Sequence, residues 1–435
     1  MTPELVGAIG SIAMLVLIFL GVDIAVTLAL IGGIGYAVIQ GVDKTFIMLA
    51  MVPFDVISSY TMALFPVYLL LGELADISGM MRDSFRAATV WVGNLRGGLA
   101  MAAQVGGAFL AAVSGSSTAC SAVITKLSLP SLLEHKYSPK LATGALAAAG
   151  TLSNLIPPSI GLVVYAVITE TSIGQLFIAS FVPGLLLTIM FMLQIYIQCR
   201  LDPSQGPLAG ATTFKEKMMA VPYAIPVIVL FLVIMGGIWF GIYTANEAGA
   251  IGVICALLYG LYKKQVNKQS LTQAFSGSLT IAGMIFAVIV SADIFSNFIV
   301  ISRLSQALAD WVNGFHLPVT GIIILIMLIY FVLGIALDTL TMIMITLPFF
   351  IPILSSMGVD LIWFGVLVVI QMELSQITPP VGLNLFVVAG MVRDKGISMG
   401  TVFSGAWPFC YTMIIFNALL IAFPMIAMYL PKLMK

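Results

Sequence analysis

Long apolar runs separated by short polar stretches dominate the chain from end to end. The uninterrupted runs cover residues 4–20, 24–40, 97–115, 119–132, 173–199, 219–241, 243–262, 272–300, 318–335, 340–355 and 401–430. A transmembrane helix needs about 20 mainly apolar residues, whereas a membrane β-strand alternates apolar and polar positions over about ten. The continuous runs therefore predict an all-α polytopic membrane protein.

Several segments depart from this simple pattern. Segment 46–78 is punctuated by Pro53, Asp55 and Pro66, which predicts one bent helix or two short ones. Segments 80–96 and 301–315 carry apolar residues on one helical face only, which is typical of helices that lie in the membrane interface.

Two pairs of short runs flank polar tips, and two longer segments are broken by paired prolines. The tips are 114–118 and 334–339, and the breaks are 154–159 and 375–380. Irregular backbone at membrane depth is tolerated only where it is buried in protein or lines a cavity. We therefore predict two re-entrant hairpins and two Pro-broken helices.

These features recur in a constant register between the two halves of the chain. The register that places Pro157-Pro158 on Pro379-Pro380, here called the repeat register, needs no gap from residue 114 to 160. The order of amphipathic helix, hairpin and broken helix is the same in both halves. The chain is therefore predicted to contain an internal repeat.

Positive charge indicates how the two repeats are oriented. Lys, Arg and His cluster at 82–96, 134–140, 200–217, 263–268 and 393–395. The positive-inside rule places such loops in the cytoplasm, and the crossings between them make the first hairpin open from inside and the second from outside. This predicts an inverted-topology repeat, the architecture of secondary transporters. The predicted organisation is N-terminal scaffold helices at 1–80, a first repeat at 81–199, a cytoplasmic loop with scaffold helices at 200–271, and a second, inverted repeat at 272–435.

Composition supports the membrane assignment and excludes several functions. Among 435 residues, 61% are apolar and 8% charged, with equal numbers of basic and acidic residues, so nothing suggests a nucleic-acid partner. There is no Gly-Lys dipeptide, and hence no ATP-binding phosphate loop. The two histidines, His135 and His316, lie between apolar runs, and the four cysteines form no CxxC pair. A metalloenzyme or other enzyme is not expected.

The tips and breaks together offer ligands for a cation and for an anion. Proline breaks free backbone carbonyls, which with hydroxyls suit sodium, and helix N-termini favour anions. Alternatives remain open: Ser and Gly can simply allow close packing, and proline can simply kink a helix. Asp338 is either functional or bonded to the hairpin backbone, and Glu73, Asp293 and Glu373 are weaker candidates.

The motifs resemble the large membrane subunit of tripartite ATP-independent periplasmic (TRAP) transporters. The matching stretches are SGSSTA (114–119), AAAGTLSNLIPPSI (147–160), SFVPGLL (180–186), GIALDT (334–339) and SQITPPVGLNLFV (375–387). The resemblance implies an elevator mechanism, coupling to two or more Na⁺ ions, no organic cofactor, a separate small four-helix membrane subunit and a soluble periplasmic substrate-binding protein. Many family members have Gly-rich sequence before each proline pair, where this chain has Ser153-Asn154 and Ser375-Gln376.

The resemblance also assigns candidate site residues by position. The first sodium site would use Ser114, Ser117, Ser153, Ile156 and Pro157. The second would use Gly334, Ser375, Thr378 and Val381. Substrate contacts would fall on Ser116, Ser159, Asp338 and Arg303, although Arg303 also suits an interface anchor.

The predicted function is sodium-driven uptake of a small organic acid, a carboxylate or sulfonate, across the bacterial inner membrane. The main alternative is a single-chain sodium–dicarboxylate symporter. An intramembrane enzyme or a channel would instead show chemical turnover or flux independent of a sodium gradient. The sequence does not identify the organic acid or the sodium stoichiometry.

Overall fold

The computed structural model describes residues 2–208, 212–315, 317–335 and 337–434. Within these ranges the chain contains twenty α-helices and three short 3₁₀ helices, and no strand. The predicted all-α fold is confirmed. His316 and Ala336, which belong to sequence features named above, lie outside the described residues.

Four helices form the N-terminal part. They are α1 (Pro3–Phe19), α2 (Ile24–Gln40), α3 (Val42–Ser58) and, after a 3₁₀ turn at Tyr60–Ala63, α4 (Leu64–Ile77). Segment 46–78 is thus two helices, but α3 continues through Pro53 and ends only at Ser58. Pro66 lies in the first turn of α4, where the missing N–H group has no helical partner to lose.

The first repeat contains six α-helices. They are α5 (Met80–Val92), α6 (Gly98–Ser114), α7 (Ser117–Glu134), α8 (Pro139–Thr151), α9 (Ile160–Thr169) and α10 (Ile173–Leu201), with a 3₁₀ turn at Leu152–Asn154. Three long helices follow: α11 (Phe214–Trp239), α12 (Ala245–Tyr262) and α13 (Lys268–Ser302). Capping boxes, Thr213 with Glu216 and Thr244 with Glu247, begin α11 and α12.

The second repeat contains seven α-helices. They are α14 (Leu304–Gly314), α15 (Val319–Gly334), α16 (Thr339–Ser356), α17 (Leu361–Ile377), α18 (Leu383–Val392), α19 (Met399–Ala422) and α20 (Met425–Leu433), with a 3₁₀ turn at Arg393–Lys395. The prediction of a single last span at 401–430 is wrong, because the segment forms two helices, α19 and α20. Pro424 explains the break, because proline lacks an N–H group and restricts the residue before it.

The internal repeat is visible in the helix boundaries. The repeat register places α7 on α16 from first residue to last, and both helices begin after a side-chain cap, Ser116 or Asp338. Both proline pairs contain a cis peptide bond. The predicted order of elements therefore recurs in the folded chain.

Seven helices among the described residues are long and apolar enough to cross a membrane. They are Tyr60–Ile77, Ile173–Leu201, Phe214–Trp239, Ala245–Tyr262, Lys268–Ser302, Thr339–Ser356 and Met399–Ala422. This supports a multi-pass membrane protein. One of them, Thr339–Ser356, was predicted above as an arm of a re-entrant hairpin. It is also long and apolar enough to cross the membrane.

The two amphipathic helices are attached differently. Asp83 on α5 forms an ion pair of 2.7 Å with Lys263 and accepts a hydrogen bond of 2.7 Å from Tyr259. The hydrogen bond from Lys263 to Asp83 raises the pKa of the lysine. On α14, Trp311 and Phe315 are exposed and contact each other edge to face, as expected of aromatic residues in an interface.

The first arms of the two broken helices form the centre of the molecule. Every residue from Leu141 to Thr151 in α8 and from Phe364 to Ile377 in α17 is buried. Helix α8 crosses α19 so closely that a Cβ atom on Gly405 would collide with the carbonyl oxygen of Lys140. The sites that follow are thus attached to the most buried helices of the fold.

Replacing Gly405 with Ala should destabilise the protein, because the added methyl meets backbone that cannot move aside. Overpacking of this kind costs about 1–3 kcal/mol. The melting temperature of the purified protein should fall by several degrees. Gly283→Ala is the matched control, since a Cβ atom there meets nothing within 4 Å. Equal melting temperatures for the two variants would contradict the close crossing.

Candidate functional site

Each repeat contains one helix that is interrupted at a proline pair. In the first repeat, α9 resumes after Ser159, whose hydroxyl accepts a hydrogen bond of 3.2 Å from the Leu162 N–H group. In the second, α18 resumes after Gly382, which has a positive φ of 48°. Prolines remove backbone donors and disrupt the helical ladder, so carbonyl groups are freed at both breaks.

Each repeat also contains a polar turn between two helices. Gly115 links α6 to α7 with a φ of 60°, a conformation that glycine adopts without strain. Asp338 begins α16, and its carboxylate accepts hydrogen bonds from the N–H groups of Leu340 (3.1 Å) and Thr341 (3.3 Å) and from the Thr341 hydroxyl. Asp338 thus bonds to the backbone at this turn, which was the structural alternative to a functional role.

Both turns and both breaks meet at one cavity of about 420 Å³. Of the residues predicted from the sequence, it is lined by Ser114, Ser116, Ser117 and Asp338. Helices α4 and α13 complete the wall, with residues that include Gly72, Glu73, Asp76, Ile281 and Met284. The cavity thus lies between the turns and breaks of the two repeats and the helices α4 and α13.

Matched hydrogen bonds tie each break to the turn of its own repeat. The Asn154 amide donates to the Ser117 hydroxyl at 3.2 Å. The Gln376 amide donates to the Thr339 hydroxyl. These two pairs correspond in the repeat register, so the contact is repeated. In the sequence, Asn154 and Gln376 are apparent only as departures from the family pattern, although the repeat register aligns the two residues with each other.

Glu373 joins the first repeat to the second. Its side chain is fully buried, and the Ser117 hydroxyl donates to its Oε2 atom at 2.5 Å. The Asn154 amide donates to its Oε1 atom at 2.6 Å. The carboxyl of α17 therefore reaches both the turn and the break of the other repeat.

The remaining predicted cation ligands lie near the breaks. Ser153 is fully buried, and its hydroxyl forms no hydrogen bond within standard distance and angle limits among the described residues. The Ser375 and Thr378 hydroxyls donate to the Met372 and Leu374 carbonyls at 2.5 and 2.7 Å. Thr378 also contacts Cys410 Sγ at 3.9 Å, and each of the three hydroxyls keeps at least one lone pair free.

Other predicted residues take up purely local positions. Ile156 packs against Gly184, and Gly334 allows Ser375 to approach α15. Ile156, Pro157 and Gly334 are buried, and Val381 is half-buried. Ser159 is buried beneath the cavity as the cap of α9.

Arg303 is not brought to this cavity. It lies exposed in a left-handed conformation between α13 and α14, in a surface cleft that Glu4 and Asp310 also line. Asp293 likewise lines a different cavity, together with Glu170.

The charge of the cavity is one-sided. Its described lining includes the carboxyl groups of Glu73, Asp76 and Asp338 but no Lys, Arg or His. Gln376 is 6% exposed, and its Oε1 atom has no hydrogen-bond partner among the described residues. No cluster of three His, Cys, Asp or Glu residues that could hold a metal ion is found in the described ranges. The oxygen atoms present suit a hard cation such as sodium.

Repeated broken helices around a shared cavity are typical of secondary transporters, and two solved structures support the fold. The YdaH transporter of Alcanivorax borkumensis has a TM-score of 0.67 and 16% identity, over 88% of each chain. MtrF of Neisseria gonorrhoeae has a TM-score of 0.60 and 14% identity, over 97% of this chain and 95% of that one.

The family is shown by sequence. Residues 11–426 match the family described as the tripartite ATP-independent periplasmic transporter, DctM component. The C4-dicarboxylate TRAP transporter large permease protein DctM of Pseudomonas aeruginosa is 33% identical over 387 residues, 88% of this chain and 89% of that protein. The chain belongs to this family, which confirms the resemblance seen in the motifs.

Two further relatives carry different substrate names. The sialic acid TRAP transporter large permease protein SiaM of Vibrio cholerae is 28% identical over 379 residues, 87% of each chain. The ectoine TRAP transporter large permease protein TeaC of Halomonas elongata is 29% identical over 372 residues, 85% of each chain. The family is thus shared by permeases named for chemically distinct molecules.

Two replacements of Asp338 distinguish its role as a helix cap from its negative charge. Asp338→Ala should lower stability, because loss of an N-cap costs about 1 kcal/mol. Asp338→Asn should keep the melting temperature, since Asn caps as well as Asp does while removing the charge. Thermal unfolding of both purified variants checks this. Identical melting temperatures for the Ala and Asn variants would contradict the capping role.

Proposed function

We propose that this chain is the translocation subunit of a sodium-coupled importer of a small organic acid in the bacterial inner membrane. The observation that carries the proposal is the one-sided charge of the cavity. Glu73, Asp76 and Asp338 would repel an anion, and none of the described lining residues is basic. An organic acid would therefore bind in this cavity more readily together with cations.

The two sodium sites are assigned to the breaks. The first comprises Ser114, Ser117, Ser153, Ile156 and Pro157, and the second comprises Gly334, Ser375, Thr378 and Val381. The buried hydroxyl of Ser153, which forms no hydrogen bond within standard distance and angle limits among the described residues, supports the first site. The free lone pairs of Ser375 and Thr378 support the second. Hydroxyl and carbonyl oxygens are suitable ligands for hard cations.

The substrate is assigned to the space between the two turns. Ser116 lies at the N-terminus of α7, where backbone N–H groups favour an anion. The corresponding end of α16 is already occupied by the Asp338 carboxylate. The acid group of the substrate should therefore lie nearer the first turn, with Ser159 behind it. Arg303 is left out of the proposed site.

The mechanism we propose is an elevator movement of an inverted repeat. The two hairpins, taken as re-entrant, and the two broken helices would form the moving body. Helices α4 and α11–α13 would form the scaffold, since α4 and α13 line the cavity from the opposite side. Movement of the repeats past α4 and α13 would then expose the same cavity to each side of the membrane.

The proposed partners are a small four-helix membrane subunit and a periplasmic substrate-binding protein. Relatives are named for C4-dicarboxylates, sialic acid, isethionate and ectoine. We propose a molecule from the same range of small polar acids, of a size that fits about 420 Å³. The sequence alternative, a single-chain sodium–dicarboxylate symporter, differs in needing no binding protein.

Reconstitution tests the assembly and the coupling together. Proteoliposomes with this chain and its small subunit should take up succinate, N-acetylneuraminate, isethionate or ectoine only with an inward sodium gradient and the loaded binding protein. Uptake without the binding protein would contradict the three-part assembly. Downhill flux without sodium would indicate a channel, and chemical conversion of the molecule would indicate an enzyme.

Thr378→Val tests the second sodium site. Valine keeps the shape of threonine but removes the hydroxyl, so the half-saturating sodium concentration should rise about fivefold, the loss of roughly one hydrogen bond. Thr412→Val is the matched control, because Thr412 is also buried and donates to a backbone carbonyl, that of Pro408. A sodium titration of uptake measures both variants. An unchanged titration for Thr378→Val would remove the residue from the site.

A further inference from the structure

Glu373 breaks the symmetry of the two repeats. The amide-to-hydroxyl contact occurs in both halves, as Asn154 with Ser117 and as Gln376 with Thr339. In the repeat register Glu373 corresponds to Thr151, whose hydroxyl donates to a carbonyl of its own helix at 2.7 Å. Among the residues that the structure describes, only the first repeat therefore receives a carboxyl group from the other half.

The hydrogen bonds of the Ser117 hydroxyl can be counted completely. A hydroxyl has one proton to donate and two lone pairs to accept with. The proton of Ser117 is directed to Glu373 Oε2 at 2.5 Å, and one lone pair accepts from the Asn154 amide at 3.2 Å. One lone pair remains, and Ser117 lines the cavity.

We infer that Glu373 is a positioning residue for the first sodium site: by accepting the Ser117 proton, it leaves a Ser117 lone pair directed at the ion. This inference rests on the proposed function. A hydroxyl binds a cation only through a lone pair, so its proton must point elsewhere. Groups that hold a ligand in this way commonly change cation affinity by about 10- to 100-fold when removed.

The same contact links the two proposed sodium sites. Glu373 lies on α17 two residues before Ser375, which is assigned to the second site. Both carboxyl oxygens are engaged by the first repeat, through Ser117 and Asn154. An ion that fixes Ser117 therefore also fixes the helix that carries Ser375.

Glu373→Gln distinguishes this role from a purely structural one, in which Glu373 would only hold the two repeats together. Glutamine at position 373 would fill the same space and could still bond to both Asn154 and Ser117. Its amide N–H group, however, would donate to the Ser117 oxygen and occupy the remaining lone pair. Glu373→Gln thus keeps the packing but removes the orientation that sodium requires.

The test uses sodium alone as the probe. The full chain, purified with its small membrane subunit, is titrated with sodium chloride against choline chloride, and thermal stabilisation gives the half-saturating concentration. Glu373→Gln should raise that concentration about tenfold or more, with an unchanged melting temperature in choline. Glu373→Asp, which retains a shorter carboxylate, should fall between the two. Gln371→Met is the control, because Gln371 is buried on the same helix but bonds to Asn417.

A double variant shows whether Glu373 acts through Ser117. Ser117→Ala should also weaken sodium binding, and the double variant should be no weaker than the worse single variant, because one ligand is lost in each case. Additive losses, or wild-type sodium affinity in Glu373→Gln, would overturn the inference while leaving sodium coupling intact. A wild-type complex that sodium does not stabilise would instead overturn the proposed function, and this inference with it.

Discussion

Backbone groups freed inside a membrane must be satisfied by protein, water or ligand, and this constraint organises the whole structure. The chain contains two breaks of this kind, at Pro157-Pro158 and Pro379-Pro380, and both lie on helices whose first arms are buried. Burial of these arms keeps the carbonyl groups that precede each proline pair away from lipid. Asn154 and Gln376 then hold each break against a turn. The cavity lies where these two arrangements meet.

The negative charge around the cavity is the reason for proposing that an anion binds there together with cations. Three carboxyl groups, from Glu73, Asp76 and Asp338, surround a space whose described lining has no basic residue. Cations at the breaks would reduce that negative potential, and an acid could then bind beside the N-terminus of α7, which is capped by the uncharged hydroxyl of Ser116. Glu373 adds an asymmetry, since it serves the first break only. The order in which ions and substrate bind would follow from these charges.

Much of the fold could be predicted from the sequence, because apolar run length and proline pairs act locally. The hairpin tips, both breaks and the register between the repeats were identified in this way. The division of 401–430 at Pro424 was missed because the residues on both sides are apolar. Arg303 was proposed as a substrate contact or an interface anchor, and it lies in a separate exposed cleft, which no local pattern reveals. The role of Glu373 depends on a contact across 256 residues with Ser117, which no local pattern contains.

Sodium binding at the two breaks beside the cavity is the step on which the proposed coupling depends. Equilibrium binding of radioactive sodium to the purified membrane complex tests it most directly, without knowledge of the substrate. The account predicts saturable binding of at least two ions per chain, with a loss of ions when Ser117 or Thr378 is replaced. Absence of saturable binding, or binding that both replacements leave unchanged, would contradict it.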